Sequence, residues 1–179
     1  MKLARTRLVF DAMCLNHFAQ IDRLDVLRDL LVQYECSTTE FVRKELRAGM
    51  ADHPLLVNAL ESDWLGVVPL DSIEELILFD QWANRIGAGQ RDVGEASIFA
   101  AAEILNGIAI TDDKDATRVA RKFGLEVHGT LWLLANACKL GKLSEGAAGN
   151  LIDMLIDSEM RLPCIGFEFP AWARSHGLL

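Results

Sequence analysis

The chain has 179 residues, a hydrophobic share of 51% and a charged share of 25%, which is the make-up of one folded domain and excludes a disordered chain. Its net charge of −8 excludes simple electrostatic adhesion to nucleic acid or to an anionic membrane, although bound divalent cations can invert the field locally. No apolar run reaches membrane-spanning length, and the four cysteines, Cys14, Cys36, Cys138 and Cys164, are too scattered for a zinc site or a disulfide frame, so a cytoplasmic protein with reduced thiols is expected.

In chain order, the apolar run Leu8-Val9-Phe10 stops at Asp11 and predicts a central strand. LDVLRDLLVQY places Leu24, Leu27, Leu30 and Leu31 at helical spacing. STTEFVRKELRAG predicts a helix over residues 38–48, with Ser37 and Glu40 as a capping box and Gly49 as its stop. On that helix Glu45 lies on or beside the stripe of Phe41, Val42 and Leu46, and an inward carboxylate needs a partner. Two helices around a short strand at Trp64 to Val68 fill residues 53–86.

The segment GAGQRDVG has neither P-loop nor dinucleotide-fingerprint spacing. The helix from Asp92 to Asn106 is almost wholly apolar beyond its first turn, where Asp92 and Glu95 form a D-x-x-E capping pattern suited to the helix dipole. A strand at 108–111 then empties into Thr111, Asp112, Asp113 and Asp115. A helix from about Lys114 to Phe123 follows, then a strand at Glu126 to His128, a helix from Thr130, and another from Leu143 to Ile156. The end, LPCIGFEFPAWARSHGLL, reads as irregular, with aromatics to dock on the core or on a partner. Strands alternating with helices predict a parallel, doubly wound α/β sheet.

Ligands of such sheets bind beyond the carboxyl ends of the strands. Two apolar runs, LVFD and IAITDD, end in acids at that edge. A single such Asp is better explained as a helix cap, and Asp113 before KDATRVA fits that role; two strands ending alike favour a site. Asp11, Glu45, Glu95 and Asp113 sit on four elements, and their mutual repulsion forbids a cluster unless cations neutralise it. Oxygen ligands without Cys or His select Mg²⁺ or Mn²⁺. Such ions serve phosphodiester hydrolysis. Arg118, Arg121 and Lys122 on one helix, and Arg43 beside Glu45, are then the groups to hold a phosphate backbone, against the ordinary reading of solvated helix faces.

LVFDAMCLNHF, FVRKELRAG and GEASIFAAAEILNGIAITDDKDA, in this order, resemble the PIN-domain family of metal-dependent nucleases over roughly residues 8–140. The G-E-A spelling is similar to one subgroup of it. The resemblance implies a three-layer α/β/α sandwich with a central parallel sheet of order 3-2-1-4-5. A nuclease domain is expected over 1–143, and the segment beyond it, longer than in compact toxins of the family, is expected to form extra C-terminal helices over 144–179 packed on the same domain. Asp11, Glu45, Glu95 and Asp113 match the family's acids and Thr111 its T-x-D threonine, and the resemblance makes Asp112 and Asp115 candidate auxiliary ligands. Mg²⁺ or Mn²⁺ in the acidic pocket, cleavage of single-stranded RNA, and a homodimer blocked by a cognate antitoxin, as in VapC-type toxins, follow from the resemblance. Ala12 and Met13 stand where relatives carry hydroxyl or polar residues, and Glu95 where the toxins have Asp. These departures frame the alternative, a catalytically weak or inactive module that binds nucleic acid or protein. A phosphatase-like pocket is disfavoured because FDAMC lacks D-x-D-x-T.

Overall fold

A computed structural model describes residues 5–87 and 93–179. Five parallel strands among them form one sheet: β1 (Arg7–Phe10), β2 (Glu35–Thr39), β3 (Leu65–Val68), β4 (Ile108–Ile110) and β5 (Val127–His128), in the spatial order β3-β2-β1-β4-β5. This is the 3-2-1-4-5 order expected, with helices on both faces. β1, the central strand, pairs Leu8 with Cys36 on one side and Phe10 with Ile110 on the other. Leu8, Val9, Phe10, Ala109 and Ile110 are fully buried, as strands covered on both faces must be.

The strands are joined by helices on the two faces. β1 leads into α1 (Ala12–Gln20) and α2 (Leu24–Leu30) before β2, and β2 into α3 (Glu40–Gly49), a 3₁₀ turn (Pro54–Leu56) and α4 (Val57–Leu60) before β3. Then come α5 (Ile73–Ile86) and α6 (Val93–Leu105) before β4, and α7 (Lys114–Lys122) before β5. The chain ends with α8 (Thr130–Lys139), α9 (Glu145–Asp157) and α10 (Phe169–Ser175). α6 is the best-buried helix, with Ala96 through Ala102 all inaccessible, as its apolar composition predicts. Residues of α9 and α10, among them Leu151, Ile152, Leu155 and Phe169, belong to the same hydrophobic cluster as the strands.

Two local expectations need correction. Ser37 is not a helix cap: residues 35–39 form β2, and the cap of α3 is Thr39, whose Oγ1 accepts the Val42 amide at 3.3 Å. A strand ending in hydroxyls is tolerated because Thr38 donates to the Phe10 carbonyl at 2.8 Å and Thr39 is paired with Ser97 at 2.7 Å. Second, the tail is not wholly irregular: Phe169–Ser175 is helical, with Pro170 early in the first turn, where its missing N–H costs nothing. Ala12–Gln20, which carried no assignment from the sequence, is a helix that begins directly at the end of β1. Asp92, the expected first member of the D-x-x-E pattern, lies outside the described residues, as does most of GAGQRDVG.

Candidate acidic site at the carboxyl edge of the sheet

The strand order reverses between β1 and β4, and this is the point at which the sheet leaves a crevice. Asp11 closes β1 there, its amide bonded to the Ile110 carbonyl at 2.9 Å, while Thr111 closes β4 beside it. Asp11 holds the N-cap position of α1, yet its side chain makes no capping hydrogen bond. Instead it accepts the Thr111 hydroxyl at 3.3 Å. The carboxyl group is 3% exposed. Burial, with the Glu45 charge adding to it, pushes Asp11 up to about 7; the amides of Ala12 and Met13 and the Thr111 hydroxyl pull the other way.

Glu45 reaches the same edge from α3. Val42 and Leu46 bury the inner stripe of this helix, and Glu45 lies on its border with part of its side chain in solvent. Its carboxylate rests on the first turn of α6: a Cβ placed on Gly94 would lie 2.6 Å from Glu45 Oε1. Only glycine permits this approach, which is the physical sense of Gly94 in the G-E-A spelling. Desolvation, then the neighbouring Glu95 charge, raises Glu45 to about 7, while the Gly94 amide favours its charged form. Glu45 is thus charge-coupled to Asp11 on one side and to Glu95 on the other.

The spacing of α3 and α6 is set by a buried run of hydroxyls. Thr39 at the end of β2 hydrogen-bonds Ser97 of α6, and Ser97 donates in turn to the Gly94 carbonyl at 2.7 Å. Neither hydroxyl was visible as functional in the sequence. The available signal was a serine three residues after a glycine in an otherwise apolar helix.

Asp112 and Asp113 diverge. Asp113 caps α7, its Oδ1 accepting the Ala116 amide at 2.6 Å, and its own amide donates to Thr111 Oγ1 at 3.3 Å. Thr111 therefore links Asp11 to Asp113. Asp112 turns to the residues that follow β5: its two oxygens accept the Thr130 amide at 2.9 Å and the Thr130 hydroxyl at 2.6 Å, and its carboxylate packs against Gly129. Burial raises its pKa, with Thr130 opposing. The auxiliary-ligand role expected for Asp112 meets a carboxylate whose oxygens are both already engaged, anchoring the start of α8.

The basic candidates also separate. Arg43 donates to the Leu60 carbonyl at 3.0 Å and lies 3.6 Å from Glu40, so it braces α3 against α4. Arg121 donates to the Val127 carbonyl at 2.7 Å. Arg118 forms an exposed pair with Asp115 at 2.9 Å, and Lys122 is exposed at the end of α7. Such exposed pairs hold little energy and exchange readily with other anions.

In kind, this donor set suits a hard divalent cation: carboxylates only, one deeply buried, two raised by desolvation and then by neighbouring charge. Among the described residues, however, no group of three or more acids, imidazoles or thiols is gathered tightly enough to hold an ion. Asp11, Glu45 and Glu95 share the edge as mutually repelling charges, and Asp113 joins them through Thr111.

No curated protein matches the chain. A family model described as a PIN domain matches residues 7–164, which takes in all five strands and runs through α9. With the sheet order 3-2-1-4-5 and acids at its reversal point, the chain belongs to the PIN-domain family.

Proposed function

We propose that this protein is a Mg²⁺- or Mn²⁺-dependent endoribonuclease that cuts single-stranded RNA, acting as the toxin half of a toxin–antitoxin pair. The family assignment supplies a nuclease-type module. The observation that carries the reading is Asp11: a carboxylate 3% exposed, crowded by Glu45, at the crevice of the sheet. A structure does not retain such a group for stability alone. Asp11, Glu45, Glu95 and Asp113 would hold the cation, which supplies an activated water and charge neutralisation at the phosphodiester. Thr111 keeps Asp11 oriented and leans it towards the ionised form. Asp113 keeps one oxygen on Ala116, and its other oxygen would be the one to meet the cation. The exposed apolar row Ile73, Leu76 and Ile77 on α5 supports a homodimer.

The test is RNA cleavage in Mn²⁺ against chelator. Asp11→Asn should lower the rate by about a hundredfold or more, the scale of losing one charge-stabilising group. Asp113→Asn is the sharper variant, since Asn caps a helix nearly as well as Asp and the substitution removes charge without the cap. Cleavage by both variants at the wild-type rate would refute the assignment.

Ala12 and Met13 favour a second reading, a PIN-like module that binds nucleic acid or protein without cutting. Met13 is 38% exposed at the mouth of α1 and brings no hydroxyl. That reading predicts no thermal stabilisation by Mn²⁺, whereas an ion selective for the folded state must stabilise it.

A further inference from the structure

Beside the acidic edge lies a second concavity of about 620 Å³, walled by α7, α8 and the C-terminal segment. Thr111 and Asp112 belong to its rim, so it opens from the same strand end as the site described above. Its chemistry is the opposite. Lys114, Arg118, Arg121 and Arg161 line it, in a chain whose net charge is −8. Among the described residues neither Lys114 nor Arg161 has an acidic partner. Two stacked aromatic pairs complete the wall: His128 lies flat on Trp132 with centroids 4.2 Å apart and planes 6° apart, and Trp172 on His176 at 4.2 Å and 23°. Trp172 and His176 come from α10 and its end, so the C-terminal segment is what turns an open helix face into a cavity.

We propose that this cavity is a cradle for a nucleotide of single-stranded RNA flanking the bond to be cut, with its base stacked on the Trp132 and Trp172 walls and its phosphate held by Arg118, Arg121 and Arg161. The identity of the occupant as RNA rests on the nuclease reading; the cavity itself does not. Guanidinium groups around aromatic rings are the combination that binds unpaired nucleotides, since every base has a face to stack and every linkage a charge. A flat basic patch would give only weak, sequence-blind adhesion, and a purely apolar pocket would leave Lys114 and Arg161 without purpose. Juxtaposition with the acids gives the polarity: the cradle attracts the chain that the carboxylates alone would repel.

The experiment measures anisotropy of a labelled oligouridine of about eight nucleotides with the full chain, in chelator so that nothing is cut. Arg161→Glu is the primary variant because the residue is exposed and the fold does not depend on it. It should weaken binding by about tenfold or more and flatten the salt dependence by the share of about one phosphate contact. Trp172→Leu, which keeps an apolar filling, should weaken binding by about fivefold or more with the salt dependence unchanged. Wild-type protein that does not bind the RNA, or both variants binding as wild type, would overturn the proposal. Polyglutamate bound as tightly as RNA, and lost in the same variants, would also overturn it, in favour of an acidic protein segment as occupant. The same oligouridine, incubated with Mn²⁺ in place of chelator, tests the nuclease reading separately. No cleavage there with cradle-dependent RNA binding intact would sink the nuclease and leave the cradle; cleavage with indifferent variants would do the reverse.

Discussion

Asp11→Asn should make the metal-free protein more stable at neutral and alkaline pH, an unusual outcome for substitution of a buried polar residue. Below pH 3.8 the Asp11 carboxyl is protonated in both folded and unfolded chains, and its burial carries no charge penalty. As pH rises, the unfolded chain releases this proton first, near 3.8, whereas the folded chain keeps it until about 7. Stability is therefore lost across that window and stays low above it. At roughly 1.4 kcal/mol per pH unit, the displacement sets a ceiling of about 4 kcal/mol. Part of that ceiling belongs to the repulsion shared with Glu45, and relaxation takes more, so a gain of about 1–3 kcal/mol is expected. Asn retains an acceptor for the Thr111 hydroxyl, and that bond costs nothing to the comparison. For a chain of this size the gain corresponds to roughly 2–10 °C in Tm. Scanning calorimetry in chelator at about pH 8 and about pH 4 checks it: the variant should melt above wild type at the first and level with it at the second. A variant no more stable than wild type at about pH 8, or equally advantaged at both, would refute the electrostatic account of Asp11. Added Mn²⁺ should reverse the order, stabilising wild type and leaving the variant unmoved.

Glu45→Gln should also stabilise the metal-free protein, by less because its side chain is partly in solvent, and the double variant with Asp11→Asn should gain less than the two singles added, as denaturant titration of the cycle would show. Gly94→Ala should displace the Glu45 carboxylate; we expect at least about a tenfold loss of Mn²⁺-dependent cleavage for a stability cost near 1 kcal/mol, read by kinetics beside urea melts. Thr111→Val removes a group that favours ionised Asp11, so the acidic limb of the pH–rate profile should move to higher pH. Thr130→Val strips one hydrogen bond from buried Asp112 and should cost about 1–3 kcal/mol in urea unfolding without altering the Mn²⁺ response.

The parts of the fold legible in the sequence are those whose causes are local. β1 and β4 are apolar runs cut off by acids, and their parallel pairing follows from the helices between them. β2 was hidden because Cys36, Ser37, Thr38 and Thr39 resemble a capping segment, and what makes them a strand is a set of partners elsewhere, Phe10 and Ser97. α10 was hidden by its brevity: with Pro170 near its start, seven residues give no periodic signal, and burial of Phe169 and Ala173 decides the matter. In the site, helical spacing showed that Glu45 borders the apolar stripe, but not that it rests on Gly94, which is 49 residues distant in sequence. The two neighbouring acids Asp112 and Asp113 were indistinguishable by type. Their partners separate them: Asp113 caps α7 through the Ala116 amide, and only the position of Thr130 shows what Asp112 is for.

The Thr39–Ser97–Gly94 relay has a consequence for how the crevice behaves between its charged and neutral states. Its members carry no charge and do not titrate, so the width between α3 and α6 is fixed by a ruler indifferent to pH. Protonation of Asp11 or Glu45 changes the potential in the crevice without changing its span. The frame can thus be empty and repulsive, or loaded and neutral, at one set of dimensions, and the cost of holding like charges together is met by a scaffold that does not itself titrate.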